Sequence, residues 1–181
     1  MNFISQDTYM KAWNFAAQKH LGQCVPGTEK PYILHVGAVA MEVMSALAVS
    51  PSDMDCDLAV CCALLHDTIE DTETTYEKLE ELFGKGVADG VTGLTKDKSL
   101  PDKKAQMSDS LERLKKLPHE AQLVKLADRV VNLQPPPSYW TKEKCAKYRE
   151  EAKLIHEQLK DSNKMLADRL ASKILNYKKY C

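Results

Sequence analysis

The chain lacks a net charge of any size: Lys plus Arg total 25, Asp plus Glu 26, and the balance is −1. That excludes a global electrostatic pull toward nucleic acid or anionic lipid, so no nucleic acid and no membrane is expected as a partner. No apolar run is long enough to span a bilayer. Met1 to Met10 is polar and mixed and carries no signal-peptide core. The cysteines, at positions 24, 56, 61, 62, 145 and 181, include no C-x-x-C pair, which excludes a zinc ribbon and a thioredoxin motif. Without a secretory signal they read as reduced thiols, and the expected location is cytoplasmic. Convincing strand alternation is absent too. A length of 181 residues with 44% hydrophobic content suits one domain, 1–181, with a real core. Nothing in the sequence specifies an oligomeric state.

What is present is helical periodicity. Tyr9, Trp13, Ala16 and His20 recur at helical spacing and define a first helix stopped near Gly22. His20 reads as a hydrogen-bonded histidine at its end. Gln23 to Lys30, with Pro26 and Gly27, is a loop. Pro31 is expected in the first turn of a second helix, Tyr32 to about Leu47, because its missing N–H is unpaired there anyway. That helix is nearly all apolar and should be buried on most sides, with His35 in its first turn. A central helix is expected from Leu58 to about Asp71, with Cys61 and Cys62 in the core. Thr74 as N-cap and Glu77 at N3 fit a capping box opening a helix that ends at Phe83-Gly84. A short helix over Val87 to Leu94, weakened by Gly90 and Gly93, precedes a charged loop, Thr95 to Pro101. A solvated helix, Lys103 to Lys116, leads to a strongly buried one, Glu120 to Leu133, ended by Pro135-Pro136-Pro137. Thr141 to Leu159 and Lys164 to Tyr180 complete an all-α, compact single-domain helical bundle.

Chemistry concentrates in Ala63-Leu64-Leu65-His66-Asp67-Thr68-Ile69-Glu70-Asp71-Thr72. On a regular helix, at about 100° per residue with His66 at zero, Glu70 falls near 40°, Asp67 near 100° and Asp71 near 140°. All four then share one side, next to an apolar flank. Unpaired charges against a core are costly, and a divalent cation would offset that cost; an exposed acidic face is the alternative. Asp128 poses the same question amid Leu123, Val124, Leu126, Ala127, Val130 and Val131, with Asn132 one turn on. Its counter-charge is either Lys125 or Arg129, or a metal. Leu166-Ala167-Asp168-Arg169-Leu170 echoes Leu126-Ala127-Asp128-Arg129-Val130, and spacing alone does not choose between the two. Asp128 has more apolar neighbours, and the echo reads as coincidence rather than a repeat.

The succession His35, His66-Asp67, Asp128 resembles the HD superfamily of metal-dependent phosphohydrolases. More narrowly, the chain resembles the (p)ppGpp hydrolase domain of RelA/SpoT-type proteins in its stand-alone small form. The segments that carry the resemblance are Pro31-Tyr32-Ile33-Leu34-His35, the stretch from Ala63 to Thr72, Phe83-Gly84 followed by Val87, and Lys125 to Leu133, together about residues 9–133. The resemblance implies an all-helical HD-type bundle and one divalent metal, usually Mn(II), held by His35, His66, Asp67 and Asp128. It implies that Glu70 and Asp71 position or activate the attacking water and that Asn132 helps hold the ribose of a nucleotide substrate. Mixed imidazole and carboxylate donors do suit a borderline-to-hard divalent ion.

The sequence departs from the family in two places. Val25-Pro26 stands where a basic pair usually contacts guanine and phosphate, and Pro135-Pro136-Pro137 replaces polar residues after Asn132. Lys30 is the nearest basic group that can substitute, with Lys96 and Lys98 in the later loop as others. With the chain ending at Cys181, neither a synthetase domain nor a regulatory tail is expected. The expected activity is removal of the 3′-pyrophosphate of ppGpp or pppGpp to give GDP or GTP. The alternatives are a phosphatase or pyrophosphatase on another nucleotide, such as a phosphorylated dinucleotide, and a nucleotide-binding domain without turnover.

Overall fold

The computed structural model describes residues 4–49 and 54–181, so part of the Pro51 to Asp57 connection lies outside the described residues. The described elements are ten α-helices and a closing 3-10 turn. They are α1 (Gln6–Lys19), α2 (Ile33–Val49), α3 (Cys56–Leu65), α4 (Thr68–Asp71), α5 (Tyr76–Phe83), α6 (Lys85–Leu94), α7 (Lys103–Leu114), α8 (His119–Asn132), α9 (Lys142–Leu159) and α10 (Lys164–Tyr177). Among the described residues the only β-type pairing is one antiparallel bridge, Cys24 with Pro31.

α3 is the axis. Every residue from Ala59 to Leu65 is buried, and the helix packs on α1, α2, α6 and α8. A helix apolar on all sides can only be stable when surrounded, and each fully buried leucine contributes about 1.5–3 kcal/mol relative to exposure. Gly90 of α6 shows how close the approach is: a Cβ there would lie 2.5 Å from Cys62 Sγ. The two glycines that weaken α6 as an isolated helix thus let it lie against α3 and, at Gly93, against Leu117. α8 packs on α2, α3, α9 and α10, so its apolar face closes the core from the other side.

Three local expectations change. Pro31 does not sit in the helical turn; it pairs with Cys24, and α2 begins at Ile33 after the Tyr32 N–H has been taken by the Gln23 carbonyl. The segment 23–32 is therefore a small hairpin. The α5 N-cap is Thr75, whose hydroxyl accepts from Lys78 N, while Thr74 is buried and shares a hydrogen bond with Thr72. Adjacent threonines offer the same chemistry, and burial of one decides which caps. The third change, in the central helix, shapes the site.

Candidate metal centre

The central helix is not continuous. α3 ends at Leu65, Asp67 lies at φ −104°, ψ 0°, and one turn of helix resumes at Thr68. The Thr68 hydroxyl takes the Leu65 carbonyl at 2.8 Å, which satisfies the group the break releases. Neighbouring residues of a regular helix point about 100° apart and do not face each other. The break removes that obstacle: His66 Nε2 and Asp67 Oδ2 come to 2.7 Å. The single-sided helical face expected for His66, Asp67, Glu70 and Asp71 is therefore corrected to a bent segment.

His35, in the first turn of α2, brings its Nε2 to 3.3 Å from His66 Nε2. From α8, Asp128 Oδ1 lies 3.4 Å from His35 Nε2 and 3.9 Å from His66 Nε2. One donor atom each from His35, His66 and Asp128 falls within a 4.8 Å set. Asp67 Oδ2 is 3.7 Å from His35 Nε2 and closes the group. Two imidazole nitrogens face to face leave at least one lone pair without a donor unless a proton or a cation lies between them. His66 Nδ1 is 2.9 Å from the Ala63 carbonyl, which favours the tautomer with its proton there and Nε2 free as a ligand. The donor set, the tautomer and the burial of both histidines fit a divalent cation.

The electrostatics ask for positive charge at the same place. Burial works against a charged His66, but the adjacent Asp67 carboxylate and Asp128 more than offset it, and its pKa is pushed up to about 9. Burial would raise Asp67 and Asp128; for Asp67 the His66 imidazole, and for Asp128 the hydrogen bond to His35 and the Lys125 ammonium, hold the carboxyls well below the usual range. Lys125 is itself buried, which lowers its pKa even though Asp128 opposes the fall. Its ammonium stands 4.0 Å from Asp128 Oδ2. Arg129 turns instead to Glu151 and lies 4.3 Å over the Tyr148 ring. Of the two counter-charges expected for Asp128, only Lys125 is near, at 4.0 Å.

Further residues support the donors. The Tyr32 hydroxyl donates to Asp67 Oδ2 at 2.5 Å, and Asn132 Nδ2 donates to Asp128 Oδ1 at 2.5 Å. In the sequence Tyr32 stands as the expected start of a helix and as part of the Pro31–His35 segment, and the structure adds its contact with Asp67 from the residue just before α2. Glu70 lies to one side, bound by Lys96 at 3.1 Å. Asp71 is solvent-facing, and its carboxyl is raised by burial first and by Asp67 and Glu70 next. Lys30 stands exposed on the 23–32 hairpin. Asp168 is outside the centre, paired with Lys164 on the surface of α10.

Comparison with known proteins places this geometry. The family model described as HD domain matches residues 12–167, which include all four donors. The guanosine-3′,5′-bis(diphosphate) 3′-pyrophosphohydrolase MESH1 of Danio rerio is 36% identical over 175 residues, 94% of either chain. The protein of that name from Homo sapiens is 34% identical over 170 residues, 89% of either chain. A solved structure, described as a metazoan ortholog of SpoT that hydrolyzes ppGpp and plays a role in starvation responses, superposes with a TM-score of 0.82. Its sequence is 30% identical, and the match covers 97% of this chain and 98% of that one. A Listeria monocytogenes structure, at 22% identity and a TM-score of 0.63, shares the fold. With its histidines and aspartates gathered on α2, the α3–α4 break and α8, inside a match that spans most of its length, the chain belongs to the HD domain family of metal-dependent hydrolases.

Proposed function

We propose that the protein is a divalent-metal-dependent phosphohydrolase that removes the 3′-pyrophosphate of ppGpp or pppGpp, with Mn(II) as its metal. The observation that supports it best is the four-donor cluster of His35, His66, Asp67 and Asp128 with two further acids beside it, in a chain 36% identical to a named guanosine-bis(diphosphate) pyrophosphohydrolase. When bound, the ion would lower the pKa of water and polarise a phosphoryl oxygen. The chain's own residues do the rest. Tyr32 and Asn132 fix the directions of Asp67 and Asp128. Glu70 and Asp71 accept the proton of the attacking water; the raised carboxyl of Asp71 brings it nearer to the operating pH, where a base is most effective. Hydrolysis at phosphorus leaves the water oxygen on pyrophosphate, and the ribose 3′ oxygen takes up a proton as it departs. Asn132, at the exposed end of α8, also contacts the ribose, and Lys30 supplies charge to the phosphates from the hairpin.

A second reading, favoured by one observation, concerns the base. The hairpin tip carries Val25 and Pro26, which lack the charge and planar fork of arginine. The expected result is cleavage of ppGpp with a weaker preference for guanine over adenine than in relatives with a basic pair. The test is turnover with Mn(II) across a nucleotide panel, with phosphate and pyrophosphate measured separately. Equal release of pyrophosphate and GDP from ppGpp supports the assignment. Orthophosphate from another nucleotide, with ppGpp untouched, would move it to the other-nucleotide phosphatase.

A further inference from the structure

Both carboxylate oxygens of Glu70 are occupied by one residue from a distant segment. Lys96, in the loop between α6 and α7, sets its ammonium 3.1 Å from Oε1 and donates its main-chain N–H to Oε2 at 3.0 Å. Two residues on, the Lys98 ammonium donates to the Glu70 main-chain carbonyl at 2.7 Å. The loop that makes these contacts is itself anchored. Arg113 of α7 donates to the carbonyls of Thr92 at 2.6 Å and Thr95 at 2.8 Å, and Gln106 donates to Leu100 at 3.2 Å.

Glu70 needs outside support for a structural reason. It stands on α4, a single turn of four residues between the break at Asp67 and the extended Thr72. One turn has no cooperative stability of its own, so the helix cannot by itself fix where the side chain points. An ion pair on an open surface would add little, but here the Glu70 side chain is 15% exposed and that of Lys96 is 31% exposed. Burial works against the Lys96 ammonium; Glu70 first, and Asp128 and Asp67 more weakly, more than offset it and keep it charged.

We propose that Lys96 is a positioning residue for hydrolysis: it grips both oxygens of Glu70 and so fixes the acid beside the metal donors, without itself binding the substrate. This rests on the reading of Glu70 as an acid that faces the attacking water. A misplacement of about 1 Å at a reacting group costs on the order of 10²-fold in rate, which sets the scale of the effect.

The test compares Lys96→Ala and Lys96→Arg with the wild type, each checked for helical content and bound divalent metal. Lys96→Ala is expected to keep its metal and KM and to lose on the order of 10²-fold in kcat. Lys96→Arg keeps the charge and should recover most of that loss. A second readout needs no turnover: Lys96→Ala keeps the main-chain N–H on Oε2 and loses the ammonium on Oε1, so in a crystal structure of the metal-free variant the Glu70 carboxylate is expected to turn away from its present orientation about the remaining contact. A raised KM with kcat intact would make Lys96 a phosphate ligand and overturn the proposal. So would an unchanged kcat, an arginine variant as poor as the alanine one, or an unmoved Glu70. If the wild type fails to release pyrophosphate from ppGpp, the functional assignment falls, and the position of Glu70 in the variant still decides the role of Lys96.

Discussion

Two segments of this chain are nearly the same in letters and opposite in surroundings. Leu126-Ala127-Asp128-Arg129 lies in α8 and Leu166-Ala167-Asp168-Arg169 in α10. The Asp128 side chain is 13% exposed and faces two histidines; that of Asp168 is 67% exposed and faces Lys164. Arg129 is sealed under Tyr148 with Glu151, whereas Arg169 reaches from the surface to both oxygens of Glu42 at 2.5 Å. The same four residues set an aspartate against two buried histidines in one helix and make a surface clasp in the other. The difference lies in what packs opposite: α8 is covered by α2, α3, α9 and α10, and α2 and the end of α3 turn His35 and His66 toward Asp128.

The largest expected effect is at Asp128. Asp128→Ala should lose bound metal and with it nearly all turnover, measured by elemental analysis and pyrophosphate release; full retention of metal would remove Asp128 from the donor set. Next come the acids outside the donor set. Glu70→Gln and Asp71→Asn should keep the metal and lose about 10²–10⁴-fold in kcat. Near-normal rates in both would mean that no side chain takes the proton.

The arginines sharpen the comparison in stability. Arg129→Ala removes a buried guanidinium from Glu151 and should cost about 3 kcal/mol in urea unfolding, the low end for a broken buried pair because Glu151 is 28% exposed. Arg169→Ala should cost less, about 2 kcal/mol, between an exposed pair and a buried one, since its own side chain is 44% exposed while that of Glu42 is 8% exposed. Equal costs would show that burial of the arginine is not what separates the two helices.

A pH dependence should appear in the first region and not in the second. His66 in the metal-free protein is raised from 6.5 to about 9: burial opposes the shift, and Asp67 and Asp128 more than offset it. The stability it contributes is therefore complete below pH 6.5 and is lost as pH climbs through about 9. A divalent ion takes the proton's place, so its affinity should rise across the same window. Melting curves with chelator and with Mn(II) check both, and a chelated protein whose melting temperature stays flat from pH 6.5 to 9 would contradict the first. The smallest effect belongs to Asp168→Ala, expected within about 0.5 kcal/mol of wild type with unchanged turnover.

The Asp128 and Asp168 pair also shows how much could be read before any coordinates. The apolar run around Asp128 and the Asn132 one turn on already set it apart, and packing puts Asp128 beside His35 and His66 while Asp168 pairs with Lys164. The acid cluster was legible as ligand-type chemistry, but its geometry was misjudged. Periodicity assumes an unbroken helix, and the kink at His66-Asp67 leaves no proline or glycine in the sequence to announce it. The sequence offers Tyr32 only as part of the Pro31–His35 segment and Lys96 only as a spare basic group, because their partners, Asp67 and Glu70, are 35 and 26 residues away in the chain. The capping of α5 was misplaced by one residue, where two threonines compete and only burial distinguishes them.

The sequence by itself determined the helical class, the burial of α3 and α8, and the residue types that gather at the centre. Apolar periodicity and the cost of unpaired charge are local properties of the chain, and each reads off a short window. Only the tertiary structure decided that His66 and its neighbour Asp67 face one point, that Asn132 and Tyr32 hold the carboxylates, and that Lys96 holds Glu70. Those outcomes depend on which helices pack together and where a backbone breaks to let them, and both are settled by contacts between segments far apart in sequence.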